Sequence, residues 1–232
     1  MTTKIRGIIF DLDDTLFDCT GQLTQPARRR TAQILASAHP DLSIETGYQQ
    51  QVLLSQTHGS SEAIRILGTQ YNIPPNIIEK ALNAYNPRTV EAITPFPDVL
   101  PTLATLVQRG YQIALVTSGN PDRQREKVRL LGLCDYFGEA DNTLILHDDQ
   151  KSSDKQPSLS QAAKALSLPH AQILCIGDKL TDEIATAKTL GMTTVHMRHG
   201  RQKNRKPQTP TEKPDIEIDR ISQLLSLLPC PL

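Results

Sequence analysis

Gly7-Ile8-Ile9-Phe10 is a short apolar run that delivers Asp11, with Asp13 two residues later, in the stretch IIFDLDDTLFD over 8–18. Such a run has the length and branching of a buried parallel strand. Open α/β sheets bind their ligands outside the carboxyl ends of the strands, so paired carboxylates at this exit stand where a site forms. One carboxylate can serve as a nucleophile and its neighbour as a general acid and base. Together they also form a hard oxygen site suited to Mg2+.

The first run extends over 5–10. Others follow at 112–116, 171–176 and 193–197, with a weaker one at 142–146. Amphipathic segments lie between them. Val99, Leu100, Leu103, Leu106 and Val107 keep helical spacing, as do Leu159, Ala162, Ala163 and Leu166, and later Ile221, Leu224, Leu225 and Leu228. Asn120-Pro121 reads as an N-cap followed by proline at the first helical position. Strands alternating with helices predict a parallel sheet covered on both faces.

The stretch 19–93 breaks the alternation. It carries helical patterns, Ile64-Leu67-Tyr71 and Ile78-Ala81-Leu82-Tyr85, and no convincing strand; Pro74-Pro75 separates two of its helices, and Pro95 and Pro97 mark the return. An extra helical layer on the core would account for it. Its start so soon after Asp11 favours a helical cap inserted beside the carboxylates, with a core of 1–18 and 94–232.

A chain of 232 residues suits one main domain with such an insertion. The 25 basic and 25 acidic residues leave a formal net charge of +0, which argues against nucleic-acid binding driven by bulk charge. No apolar stretch approaches the roughly 20 residues of a membrane span. The N-terminal apolar run is too short for a signal peptide and acids interrupt it, so a cytoplasmic protein is expected. Cys19, Cys134, Cys175 and Cys230 form no CxxC pair, and the six histidines show no metal-ligand spacing. Cys175, inside ILCIG, reads as a small buried residue, and the histidines as surface or packing groups. The basic, proline-containing segment 198–214 has no aromatic residue for base stacking and reads as a solvated loop.

The later runs also end in reactive chemistry. IALV leads into Thr117-Ser118-Gly119-Asn120, and ILCIG into Asp178, with Asp182 four residues on; Lys155 lies between them in DKQPS, ahead of a helix. Parallel, adjacent strands would bring these ends into one crevice. A single Asp after a strand is often only a helix cap, but the ordered set of four is specific.

With these residues in place, the chain resembles a haloacid dehalogenase-like (HAD) superfamily hydrolase of the subgroup with a helical cap after the first motif. That family's DxDx(T/V) is matched by Asp11-Leu12-Asp13-Asp14-Thr15, its Thr/Ser after an apolar run by Thr117, and its GDxxxD by Gly177-Asp178-Lys179-Leu180-Thr181-Asp182. Lys155 is the candidate for its motif lysine, although Gln156 separates it from Pro157 and Lys151 lies close by. The resemblance spans nearly the whole chain. It implies a Rossmann-like parallel sheet with an inserted α-helical cap domain, and an Mg2+-dependent phosphatase acting on a small phosphorylated metabolite; the charge balance and the absence of a long apolar stretch predict no nucleic-acid or membrane partner.

Phosphoryl transfer needs an in-line nucleophile and positive groups around the phosphoryl oxygens. Asp11 is the expected nucleophile, forming an aspartyl-phosphate, and Asp13 the acid that protonates the leaving oxygen and then activates water. The resemblance assigns Mg2+ to Asp11, Asp178 and the backbone carbonyl of Asp13. Thr117, the N–H groups of Ser118 and Gly119, the start of the helix near Pro121, and Lys155 are expected to hold the phosphoryl group. Asp182 is expected to orient Lys155 or a metal-bound water. Asp14 reads as a turn residue and Thr15 as hydrogen-bonding within that turn. Dehalogenation would need neither Asp13 nor the acidic fourth motif, and an ATPase of this family would need membrane helices. A phosphomutase using the same aspartates, or a non-catalytic protein binding a phosphate ligand, remains as an alternative. Arg28-Arg29-Arg30, His58, Arg65 and Arg88 in the cap are candidate contacts to an anionic substrate.

Overall fold

The structure is a computed structural model that describes residues 4–87, 89–148 and 154–228. The chain divides into two compact units, one of Met1–Cys19 with Ala92–Leu232 and one of Thr20–Glu91.

The larger unit is built on a parallel sheet. Its strands are β1 (Gly7–Phe10), β2 (Gln112–Ser118), β3 (Leu144–His147), β4 (Ile173–Gly177), β5 (Thr193–Met197) and β6 (Ile216–Ile218), in the order β3-β2-β1-β4-β5-β6. Every neighbouring pair is parallel, with Ile9 beside Ala114 on one side and Cys175 on the other. β1 and β4 are buried along their whole length, which is why both read as unbroken apolar runs. β6 leaves no such mark in the sequence. Its three residues, Ile-Glu-Ile, present only one fully buried side chain at the sheet edge, too little for a periodic signal.

The smaller unit is helical: α1 (Gln25–Ala36), α2 (Ile44–His58), α3 (Ser60–Gln70) and α4 (Pro75–Tyr85). Leu35, Leu42, Ile64, Leu67, Ile73 and Ala81 form its own core. Ser43 caps α2 by accepting the N–H of Thr46, and a proline stands in the first turn of α1 and of α4. Gly68 of α3 lies so close to Ile78 of α4 that a Cβ there would fall 2.5 Å from the isoleucine Cδ1.

The helices of the larger unit are α5 (Val99–Gln108), α6 (Pro121–Leu130), α7 (Gln156–Ala165), α8 (Ala185–Thr189) and α9 (Leu224–Leu227). Leu159, Ala162, Ala163 and Leu166 of the α7 region and Ala187 of α8 close over Ile9, Ala114, Val116, Ile173 and Cys175 on one face of the sheet. Side chains alternate along a strand, so Ile8, Phe10 and Leu115 point to the other face, where the ring of Phe10 meets Phe137 at 6.2 Å. The C-terminal amphipathic pattern forms a 3-10 turn, Ile221–Gln223, and then only α9. Among the described residues, no helix is long and apolar enough to cross a membrane.

From β1 the chain runs outward through β2 to β3, then returns through α7 to place β4 on the opposite side of β1. The strand order therefore reverses between β1 and β4, and an open α/β sheet binds ligands at such a switch point.

Candidate active site

Asp11 follows β1, and its N–H donates to the carbonyl of Ile176 on β4 (2.9 Å), which ties it to the strand that delivers Asp178. Both carboxylates are buried, as are Thr117 at the end of β2 and Lys155 at the N-cap position of α7. Helix α7 starts at Gln156, so Lys155 stands immediately before its first turn.

Lys155 is 1% exposed and lies among acids. Its ammonium is 3.3 Å from Asp11 Oδ1 and 3.7 Å from Asp182 Oδ2, and it donates to Glu183 Oε1. Burying an ammonium costs several kcal/mol unless such partners surround it. Burial alone would lower the pKa of Lys155, but Glu183, Asp11 and Asp182 together raise it well above the ordinary lysine value. Glu183 is one of the residues that sequence reasoning missed, with Gln124 and Lys127 of α6. It follows Asp182 in a single π-helical turn, Leu180–Ile184, a form of turn frequent at functional sites. Its Oε2 accepts the N–H of Lys179 (3.2 Å). Gly177 permits the approach: a Cβ there would sit 2.8 Å from Glu183 Cβ. The adjacent acids at 182 and 183 were the available signal.

Asp11 accepts the hydroxyl of Thr15 at Oδ2 (3.2 Å), so Thr15 bonds to the strand-end carboxylate itself. Burial, then the charge of Glu183, push Asp11 up to about 7 against the pull of Lys155. Asp178 is pushed well above the usual carboxylate range by burial, Glu183 and Asp11. Its Oδ1 is buried and has no hydrogen-bond partner. Two close carboxylates, one with an orphaned oxygen, form a hard-oxygen donor set that fits a small divalent cation. The backbone carbonyl of Asp178 accepts from His196 Nε2 (3.1 Å), which fixes the residue from behind.

Thr117 is 1% exposed, and its hydroxyl accepts the side-chain amide of Gln124 on α6. The hydroxyl proton is thereby left to point elsewhere. Ser118 Oγ is buried without a partner, whereas the N–H of Gly119 is already engaged by the carbonyl of His147 (3.0 Å). Asn120 caps α6 by accepting the N–H of Arg123 (3.2 Å), with Pro121 in the first turn.

Asp13 does not join the Lys155 cluster. Lys127 of α6 grips its carboxylate through both oxygens, at 2.9 and 2.7 Å. Burial pushes Asp13 up, but the charge and hydrogen bond of Lys127 outweigh it and hold the carboxyl below its ordinary value. Asp14 is buried with φ of 61°. With Asp18 and His199 it forms a group whose ligand atoms all lie within 4.8 Å of one another, a grouping that histidine spacing in the sequence did not suggest. Lys151 and Arg88 lie outside the described residues. In the helical unit Arg28 is buried and donates to Ser55 (2.6 Å), Arg29 lies over the ring of Tyr48, Arg30 pairs with Glu91 (2.7 Å), Arg65 pairs with Glu62, and His58 is exposed.

An open parallel sheet that concentrates its buried charges at its switch point marks an α/β enzyme rather than a structural module. The chain belongs to the haloacid dehalogenase-like hydrolases, whose family profile matches residues 5–191. Among its relatives, the glyceraldehyde 3-phosphate phosphatase of Methanopyrus kandleri is 30% identical over 97% of both chains. The phosphoglycolate phosphatase of Neisseria gonorrhoeae is 27% identical over 84% of this chain and 81% of its own. The fold is shared with a putative β-phosphoglucomutase from Thermotoga maritima, at a TM-score of 0.71 and 18% identity over 97% and 98% of the two chains.

Proposed function

We propose that this chain is a phosphatase that hydrolyses small phosphomonoesters through an aspartyl-phosphate on Asp11. The carrying observation is the buried Lys155, held between Asp11 and Glu183 at the switch point of the sheet. A cation so placed offsets negative charge where a phosphate ester must approach a carboxylate, and electrostatic stabilisation of this kind usually supplies the greater part of catalysis in phosphoryl transfer. Relatives named as glyceraldehyde 3-phosphate phosphatase and phosphoglycolate phosphatase, matched over 97% and 81% of their own lengths, support two- and three-carbon esters as the substrate class.

An Asp11 oxygen attacks phosphorus and the ester P–O bond breaks. Asp13 in its protonated form gives a proton to the departing alkoxide, so that an alcohol leaves and Asp13 returns to the carboxylate that Lys127 stabilises. Asp13 then takes a proton from water as that water attacks the phosphorus of the acyl phosphate, which releases inorganic phosphate and regenerates Asp11. Thr117 directs its free hydroxyl proton, and Ser118 its unpartnered hydroxyl, towards the phosphoryl oxygens, while Lys155 offsets their charge. Asp182 and Glu183 hold Lys155 in place. Asp11, Asp178 and the Asp13 carbonyl would hold Mg2+, which supplies further positive charge to the phosphoryl group when bound.

The unit Thr20–Glu91, inserted after the first motif, acts as the cap that selects the substrate. Arg28, His58, Arg65 and Arg88 are its candidate contacts.

Phosphate release from a panel holding glyceraldehyde 3-phosphate, phosphoglycolate and an aryl phosphate, with and without Mg2+, tests the reading. We expect release that requires Mg2+ and falls at least about 10³-fold in Asp11→Asn, because the amide is a poor nucleophile and a neutral ligand. Retention of more than about a tenth of turnover in that variant would refute the mechanism. Formation of an isomeric phosphate ester without phosphate release would identify a mutase, and tight ester binding with no turnover a binding protein. At least one cap substitution should shift relative kcat/KM across the panel about tenfold, equivalent to roughly 1.4 kcal/mol of transition-state binding, and leave the aryl phosphate nearly unchanged. If deletion of the cap in a folded protein leaves the preference order intact, the cap does not set specificity.

A further inference from the structure

Helix α6 is one of the most polar segments of the chain, PDRQREKVRL, and Arg125 and Arg129 are exposed as its composition suggests. Lys127 is not. Its side chain is 8% exposed and turned inward, and its ammonium is bonded to both carboxylate oxygens of Asp13, 114 residues away in sequence. The same ammonium lies 5.9 Å from the centre of the Phe17 ring. Three residues earlier on that face, Gln124 is 2% exposed and donates to Thr117. Residues three apart on a helix are neighbours, so one face of α6 touches two groups of the proposed machinery at once.

A lysine buried for packing alone would be costly, because an ammonium out of water needs a partner that completes its hydrogen bonds. Here the partner is the carboxylate that must meet the leaving oxygen. A carboxylate held through a single oxygen can still swing about that contact, whereas one bonded through both oxygens to a single ammonium has its Cβ–Cγ bond aimed at that ammonium, which holds the side chain in one direction. Proton transfer within the transition state requires hydrogen-bond reach, so the direction of Asp13 bears on rate.

We infer that Lys127 is a positioning residue of the phosphatase reaction, one that fixes Asp13 for proton transfer and acts on the chemistry only through Asp13. The inference rests on the phosphatase reading above. It predicts a dependence on leaving group. An alkyl phosphate needs its departing oxygen protonated, whereas an aryl phosphate with a good leaving group needs little help in the first step.

The test compares wild type, Lys127→Met, Lys127→Arg, Asp13→Asn and the Asp13→Asn/Lys127→Met double variant on an alkyl and an aryl phosphate, with Mg2+ present. We expect Lys127→Met to lose at least about tenfold in kcat on the alkyl ester, within the range typical of acid–base assistance, while its first-turnover burst on the aryl ester changes less than about threefold. Lys127→Arg, which can also bond both oxygens, should recover most of the alkyl rate. The double variant should be no slower than Asp13→Asn alone, since the two residues act as a unit. Equal losses on both esters, or a double variant slower than Asp13→Asn by the full Lys127→Met factor, would overturn the inference and make Lys127 a structural residue. Should Lys127→Met fail to fold, Lys127→Gln takes its place with the same expected split between esters, and an unsplit loss again overturns it. Wild-type protein that releases phosphate from no ester would bring down the phosphatase reading and this inference with it. An active wild type with an indifferent Lys127 brings down the inference alone.

Discussion

The ammonium of Lys155 lies 3.3 Å from Oδ1 of Asp11, although 144 residues separate the two in the chain. The contact joins the start of α7 to the end of β1 and sets the charge balance of the crevice. Lys155→Ala should therefore lower turnover far more than Lys151→Ala, by about 10²-fold or more, since a buried cation beside a developing anion is worth several kcal/mol. Steady-state phosphate release from the two variants decides it. If Lys151→Ala is the inactive one, Lys151 and not Lys155 is the motif lysine.

Glu183 and Asp182 are adjacent acids with different burdens. Glu183 is almost wholly buried and donor-matched to Lys155, whereas Asp182 is 28% exposed and 3.7 Å from the ammonium. Removing one partner of a buried pair typically costs about 3–5 kcal/mol, whereas exposed pairs are worth about 1 kcal/mol or less. Urea unfolding should show Glu183→Ala losing about 3 kcal/mol and Asp182→Ala under about 1 kcal/mol. Equal losses would contradict the assignment of Glu183 as the main counter-charge.

Gly200 and Gly132 have nearly the same backbone, with φ of 63° and 68°, but different surroundings. A Cβ at Gly200 would collide with the carboxyl carbon of Asp14, itself at φ 61°, while at Gly132 nothing lies within 4 Å. Gly132→Ala should cost only the left-handed penalty, about 1–2 kcal/mol. Gly200→Ala should cost clearly more and displace the loop carrying Asp14. Thermal unfolding of both variants is the measurement, and an equal shift in Tm would show that the loop gives way freely.

Asp215 ties β6 to β5 by accepting the N–H (2.8 Å) and hydroxyl (2.7 Å) of Thr194, and it also accepts from Lys188. Burial pushes its carboxyl up, but the bonds from Lys188 and Thr194 and the lysine charge outweigh it and hold it below the usual range. A carboxyl depressed on folding stabilises the native state above its unfolded pKa, about 3.9, and that contribution is lost as pH falls through the folded value. Asp215→Asn should thus lower Tm at neutral pH, and the gap from wild type should close below about pH 4. A gap that persists unchanged to about pH 2.5 would show that the charge of Asp215 contributes nothing.

The strand runs, the α/β alternation and the family motifs are local properties, and they were legible because burial on both faces demands unbroken apolar strands and strand ends deliver the polar residues that follow. Asp11, Thr117 and Asp178 stand where periodicity placed them. What the one-dimensional pattern left open is which charges meet. Lys127 and Gln124 sit in a helix that looks solvated, and only the packing of α6 beside β2 turns that face towards Asp13 and Thr117. Glu183, and not Asp182, is the chief partner of Lys155, and it stands in a π-helical turn that leaves no mark in residue spacing. Asp14, Asp18 and His199 likewise come together only when a loop after β5 folds back past Gly200. Hydrophobic patterning acts along the chain, whereas ion pairing acts through space, so the sequence by itself determined the scaffold and the tertiary structure alone decided the pairings of its buried charges.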